Sequence, residues 1–206
     1  MEKTKRKERE FQLRRSDILE EAEKIFAARG YHNTTMAEIA RASGFSIGTL
    51  YQFFDGKENL YGTMVSEKLD RMYAGIREAV AGKETVGEKL EALVGSHFDF
   101  VEKNVDYWKV LIRAESITLS GETTSLKEKI LSHYLRHIHF VEKIIKEGIR
   151  IQFFKSIDSF SLACSLNGIM SSFKFIFIMK PKPGSLTGRA SDVLDIYLKG
   201  VKKNAV

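Results

Sequence analysis

The sequence predicts an all-α protein, and three observations carry that prediction. Apolar residues recur at three- and four-residue spacing along most of the chain, which is the period of an amphipathic helix. Only two prolines occur, Pro181 and Pro183, so nothing interrupts helices across the first 180 residues. Hydroxyl-bearing caps such as Thr35 and Ser46, and stopping glycines such as Gly30, Gly44 and Gly82, punctuate the chain.

Each element follows from such signals. A first helix over 9–29 buries Ile18, Ala22, Ile25 and Phe26 on one stripe and ends at Gly30. Thr35 caps a second helix over 36–43, with Glu38 three residues later completing a capping box. Gly44 supplies the left-handed residue that ends it, after which Phe45 packs inward. Ser46 caps a third helix running to about Phe53. Apolar residues of this pair recur at helical spacing: Met36, Ile39 and Ala40, then Ile47, Leu50, Tyr51 and Phe54. A fourth helix over 57–81 links this module to the rest of the chain. Further helices are expected over 86–104, 106–119 and 125–151, separated by a corner at 104–106 and a break at 120–124. An eighth covers 157–179 and a last one 187–202. No internal repeat or low-complexity segment is evident.

At 206 residues and 43% hydrophobic composition, the chain can form one extended domain or two small ones with real cores. The expected division is 1–60 and 61–206. The formal net charge of +6 suggests an anionic partner, yet residues 1–61 hold eleven Lys and Arg against ten Asp and Glu. Placement therefore matters more than total charge. The leader carries Lys3, Lys5, Arg6, Lys7, Arg9, Arg14 and Arg15 against three glutamates, and two readings of it stay open. It is either a basic arm along phosphates or in a minor groove, or a solvated tail. No apolar run follows it, so it does not read as a signal peptide, and a cytoplasmic location is expected. The single cysteine, Cys164, excludes an intrachain disulfide and reads as a small core residue.

Two short helices around a Gly44 turn have the layout of a helix-turn-helix that enters a DNA groove, which names duplex DNA as the partner. Residues 16–60, SDILEEAEKIFAARGYHNTTMAEIARASGFSIGTLYQFFDGKENL, resemble the DNA-binding domain of the TetR (tetracycline-repressor-like) family. The matching features run in order from Ile18, Ala22 and Phe26 through Gly30-Tyr31, Thr34-Thr35 and Ile39-Ala40. They continue through Ala42, Gly44, Gly48, Leu50-Tyr51, Phe54 and Lys57-Glu58 to Leu60.

The resemblance implies roles. Thr35 holds a phosphate, Tyr51 sets its hydroxyl on the DNA backbone, and Lys57 neutralises another phosphate. Ser46, Ile47, Gly48, Thr49 and Gln52 lie along the groove-facing side, where Gln52 suits adenine and Ile47 and Thr49 suit thymine methyls. Ile47 departs from a more usual polar residue, and Asp55-Gly56 replaces a common Pro-Ser. The resemblance also implies a ligand-responsive regulator, a repressor in the family's usual mode. It binds a palindromic operator as a homodimer and is released by a small molecule.

The segment Phe160 to Met179 is long enough to span a membrane, but it contains Asn167, Lys174 and several Ser and Gly residues. It reads instead as a helix buried on two sides, with Gly168, Ser171 and Ser172 allowing a second subunit to approach. Val193, Ile196 and Tyr197 of the last helix are expected to join that dimer contact. Phe98, Val101, Trp108, Leu111, Ile112, Phe140, Phe173 and Phe177 are candidates to line an apolar effector pocket, with Phe100, Tyr107 and the first-choice Trp108 in the same stretch. Few charges fall in these stripes, so a hydrophobic or amphipathic effector is expected.

Two other classes compete. A metal-dependent enzyme would draw on His133, His137 and His139 with Glu142, since His133 and His137 stand one helical turn apart. No HExxH pattern accompanies them, so they read as surface histidines, and neither a catalytic set, a metal site nor a cofactor is expected. A structural adaptor would bind no DNA and show no salt-dependent affinity for it.

Overall fold

A computed structural model of the protein describes residues 2–119, 124–179 and 184–202. The break expected at 120–124 falls almost wholly outside the described residues, as do Pro181 and Pro183. Among the described residues the structure is helical throughout: α1 (Glu2–Arg29), α2 (Met36–Ser43), α3 (Ile47–Phe53), α4 (Lys57–Ala81) and α5 (Val86–Lys103). These are followed by α6 (Val105–Leu119), α7 (Thr124–Arg150), α8 (Ser159–Met179) and α9 (Ala190–Val201), the last preceded by a 3-10 turn over Thr187–Arg189. The main departure from expectation is α1, which starts at Glu2 rather than near residue 9. The basic leader is helical, supported by pairs one turn apart such as Gln12 with Glu8 and Arg14 with Glu10.

The chain forms two compact units. The first comprises Met1–Lys68 and Asp106–Lys127, the second Leu69–Val105 and Glu128–Val206. Packing thus divides differently from the expected boundary at 60 and 61, because α6 belongs with the N-terminal helices. Two buried phenols explain it: the Tyr61 hydroxyl donates to the Val110 carbonyl at 3.3 Å, and that of Tyr107 to the Val65 carbonyl at 3.0 Å. Periodicity shows that α6 has an apolar face but not which partner covers it.

In the first unit, α1 packs on α2 and α2 on α3. The core contains Ile18, Ala22, Phe26, Ile39, Leu50, Phe54, Leu60 and Tyr61. Ile25, expected on the buried stripe, is only half-buried, while Leu19 and Ala27 are buried in addition. Lys68 pairs with Glu23 at 2.9 Å and Arg15 with Glu67 at 2.5 Å, tying α4 to α1.

In the second unit, α9 packs on both α5 and α8. The α5 stripe of Leu90, Leu93, Val94, Phe98 and Val101 is fully buried. Tyr197 of α9 donates to the Leu162 carbonyl of α8 at 3.1 Å. The turn after α7 is closed by Phe153 N–H to Gly148 O at 2.8 Å and Gln152 N–H to Ile149 O at 3.0 Å, a Schellman arrangement. Gln152 occupies its left-handed position at φ 62°, where glycine is the relaxed choice. Gln152→Gly is therefore expected to raise stability by roughly 0.5–1 kcal/mol, as read by denaturant midpoint. A lowered midpoint would show that the Gln152 side chain matters more than its backbone strain.

Candidate DNA interface and C-terminal unit

The helix-turn-helix is built from local bonds the sequence specifies. The Thr35 hydroxyl accepts the Glu38 N–H at 3.2 Å, while the Thr35 N–H and hydroxyl both donate to the Glu38 carboxylate at 2.9 Å. These bonds hold the Glu38 carboxyl below the usual carboxylate range. At the other end of α2, Gly44 sits at φ 74°, with Gly44 N–H bonded to Arg41 O and Phe45 N–H to Ala40 O. Ser46 then accepts the Thr49 N–H at 3.1 Å and shares a 2.9 Å hydroxyl contact with Thr49. Each such cap is worth about 1 kcal/mol, and together they set the turn between α2 and α3.

Only one side of α3 faces inward. Leu50 is 0% exposed and Phe54, at the helix end, 2%. Two other apolar residues of the helical periodicity, both given DNA-facing roles by the resemblance, turn outward, with Ile47 46% exposed and Tyr51 54%. Ser46, Gly48 and Gln52 share that exposed side, with Thr49 half-buried at its edge. A seven-residue helix has room for one buried row, and Leu50 with Phe54 already fills it. The far end of α3 is braced by Phe53 against Phe11 of α1, ring centroids 4.4 Å apart.

Two residues given phosphate roles by resemblance also serve the fold. Lys57 donates to the carbonyls of Tyr31 and Thr34, both at 2.9 Å, and lies 4.4 Å from the Tyr31 ring centroid. Its ammonium thus closes the loop before α2. The Thr35 hydroxyl proton is engaged by Glu38, so only the helix-start amides remain as donors there. Gly56 explains the unusual Asp55-Gly56 step: its φ of 149° suits glycine where the chain enters α4. Of the basic leader, Arg14 and Arg15 pair with Glu10 and Glu67, whereas Lys5, Arg6, Lys7 and Arg9 are exposed.

The effector candidates separate between the units. Phe98 and Val101 are buried in the second unit, where Phe140, Phe173 and Phe177 are half-buried. Arg189 lies over the Phe173 ring at 5.3 Å. Trp108 is buried in the first unit, beside half-buried Leu111 and Ile112.

The expected dimer residues also separate. Gly168, Ser172 and Ile196 are exposed and Ser171 is half-buried, but Val193 and Tyr197 are buried in the unit's own core. Tyr197 is held there by its bond to α8 and by Phe154, and has no surface left for a partner. The outer stripe of α8 runs Ser161, Ser165, Gly168, Ser172, Phe175, Ile176 and Met179. Its opposite side, Leu162, Ala163, Leu166, Met170 and Ile178, enters the core. By length and composition alone α8 could cross a membrane, and it is the one such helix among the described residues.

Two of the three histidines expected at the surface are not there. His133 and His137 are buried, and only His139 is exposed. His133 contacts Asp70 at 3.3 Å and Arg136 at 2.8 Å, and His139 contacts Glu142 at 3.2 Å. His137 instead stacks on Tyr73, 4.5 Å between centroids, near a buried His97 that sequence reading passed over. The signal for His97 was its position inside the apolar α5 stripe. Among the described residues, no three His, Cys, Asp or Glu side chains come together as a metal site.

Comparison with known proteins agrees with this architecture. Residues 18–64 match the family described as "Bacterial regulatory proteins, tetR family", and residues 65–200 match "YsiA-like protein, C-terminal region". The fatty acid metabolism regulator protein of Bacillus subtilis (strain 168) is 23% identical over 185 residues, covering 89% of this chain and 93% of that protein. The solved fatty acid degradation regulator FadR of Bacillus halodurans is 26% identical with a TM-score of 0.78, covering 90% of this chain and 98% of that one. FadR of Bacillus subtilis, solved in complex with stearoyl-CoA, has the same fold, with 22% identity, a TM-score of 0.78 and the same coverage. With the helix-turn-helix in place and both regions matched, this chain belongs to the tetR family of bacterial regulatory proteins, ligand-responsive transcriptional regulators that bind DNA through a helix-turn-helix.

Proposed function

We propose that the protein is a cytoplasmic homodimeric repressor that binds a palindromic operator through residues 1–60 and is released by an amphipathic small molecule held by residues 61–206. One observation carries the DNA assignment. The exposed row of Ser46, Ile47, Gly48, Tyr51 and Gln52 is held outward by a buried Leu50–Phe54 row, leaving a surface that is small at Ser46 and Gly48 for a major groove. Gln52 suits an adenine edge, and the Ile47 side chain suits a thymine methyl. Thr35 and Lys57 serve mainly to hold the loop and helix starts, with phosphates contacted by helix-start amides and the Tyr51 hydroxyl.

A single module reads too few base pairs for useful specificity, so duplication is part of the reading. The outer stripe of α8, small at Ser165, Gly168 and Ser172 and apolar at Phe175, Ile176 and Met179, supports a second copy of this chain as its cover. Exposed Ile196 of α9 extends that face. The half-buried aromatic residues of the C-terminal unit favour an effector with an apolar tail. A relative solved with stearoyl-CoA makes acyl thioesters the first candidates. The ligand lowers operator affinity only by preferring the released state, and DNA must disfavour the ligand by the same factor.

Selection of genomic fragments with purified protein, repeated with acyl thioesters added, tests the proposal. A palindromic motif lost on ligand addition is the expected outcome. Absence of any salt-dependent duplex binding would favour the adaptor reading instead. Tyr51→Phe is expected to weaken operator binding by about fivefold with an unchanged denaturant midpoint, through loss of one hydroxyl contact. Lys57→Ala should weaken binding and also lower stability by about 1 kcal/mol, because two loop carbonyls lose their donor. An unchanged midpoint for Lys57→Ala would assign it to phosphate alone.

A further inference from the structure

The start of α1 brings charge rather than packing to the first unit. Residues 2–10, EKTKRKERE, hold no apolar side chain, and positions 4–10 are all exposed. Two helical turns with nothing to bury gain no packing stability, and so short a helix is marginal in water by itself. Lys5, Arg6, Lys7 and Arg9 stand within five residues against Glu8 alone. Lys5 and Arg9 are one turn apart, a like-charge spacing that weakens a free helix. The two nearby carboxylates bond forward along the helix, Glu8 to Gln12 at 2.9 Å and Glu10 to Arg14 at 2.5 Å. An anionic partner would relieve this crowding of cations.

One aromatic contact fixes where this surface stands. Phe11, the first apolar residue of α1, packs on Phe53 in the last turn of α3, with ring centroids 4.4 Å apart. One turn further along α1, Arg15 lies 5.6 Å from the Phe54 ring centroid. The leader therefore departs from the end of α3, beside the residue that follows Gln52. Lys5 to Arg9 lie about 3–9 Å beyond Phe11 along the helix axis, at 1.5 Å per residue. Lys7 precedes Phe11 by one turn and shares its side of the helix. A helix seated in a major groove about 12 Å wide has a phosphate strand along each wall.

We propose that Lys5, Arg6, Lys7 and Arg9 form a second DNA-binding surface, which grips backbone phosphates beside the recognition helix and reads no base. A helix with its side chains is about 10 Å across and the minor groove about 6 Å wide, so a helical leader does not insert there. The assignment rests on α3 being the helix that enters the groove.

The test uses the full-length protein with a duplex recovered by genomic selection and a shuffled duplex of equal length, each titrated over a range of potassium chloride. Lys5→Gln, Arg6→Gln, Lys7→Gln and Arg9→Gln together should flatten the slope of log affinity against log salt by about 2–4, one or two phosphates per leader in a dimer. Affinity at physiological salt should fall about tenfold or more for both duplexes alike, leaving their ratio unchanged. The denaturant midpoint should hold, because the four side chains are exposed and glutamine is a good helix former. Phe11→Ala keeps every charge but frees the leader from α3, and should cost about threefold on both duplexes. An unchanged slope in the fourfold variant would overturn the assignment and leave a solvated tail, with the regulator reading intact if the parent still prefers the selected duplex. A loss confined to the selected duplex would overturn it in favour of base reading. Full affinity in Phe11→Ala would overturn the anchored surface in favour of a loose arm. A parent with no salt-dependent affinity for either duplex would sink the regulator reading and this assignment with it.

Discussion

Gly48→Glu is expected to reduce operator affinity by about a hundredfold at physiological salt, because a carboxylate facing the DNA costs several kcal/mol. The fold should tolerate it. Gly48 is exposed on α3, and a Cβ there meets only the Ser46 hydroxyl oxygen at 3.8 Å. Glutamate is also a better helix former than glycine, so the thermal midpoint should hold or rise slightly. Gly48→Ala adds bulk without charge and should cost far less affinity. An electrophoretic or anisotropy titration that finds Gly48→Glu within twofold of the parent would show that this side of α3 does not enter the groove.

The largest stability effect is expected from Gly148→Ala. A Cβ at Gly148 would lie 2.4 and 2.5 Å from two ring carbons of Phe154 and 3.2 Å from a methyl of Val86. Phe154 cannot swing away easily: it is 1% exposed, its N–H bonds to Gly148 O, and it pairs with Lys202 in an isolated β-bridge. Overpacking of this kind costs about 3 kcal/mol, against about 1 kcal/mol gained from helix propensity. The net loss of about 2 kcal/mol should lower the thermal midpoint by about 6 °C for a chain this size. Gly75→Ala is the control, since a Cβ there meets nothing within 4 Å. It should raise the midpoint, and a fall equal to that of Gly148→Ala would remove the steric explanation.

These glycines show how much was legible in the sequence. Gly44 and the caps at Thr35 and Ser46 were readable because a cap bonds to residues three positions away. The boundaries of α2 and α4 were readable for the same reason, since their signals lie within the segments themselves. Gly148 carried no such signal. Its need for a bare Cα comes from Phe154, which folds back after the Gln152 turn, and from Val86 on another helix.

Lys57 makes the same point at the DNA interface. The family resemblance implied a phosphate contact for it, but its reach to the Tyr31 and Thr34 carbonyls depends on how the loop before α2 folds over it. The α8 and α9 stripes were both visible as apolar periodicity, yet periodicity does not say what covers a face. Val193 and Tyr197 proved to be core, whereas Ile196 on the same helix stayed outside. His133 and His137 looked like surface residues on a charged helix, and packing buried them both.

By itself the sequence determined the helical class, the order of elements and the helix-turn-helix, because caps, glycine stops and a 3.6-residue period are local properties. Only the tertiary structure decided that Val193 and Tyr197 are buried in their own unit, that α6 joins the N-terminal unit, and that two imidazoles meet inside the C-terminal one. Those outcomes depend on which face meets which across large sequence separations, and no local pattern encodes that choice.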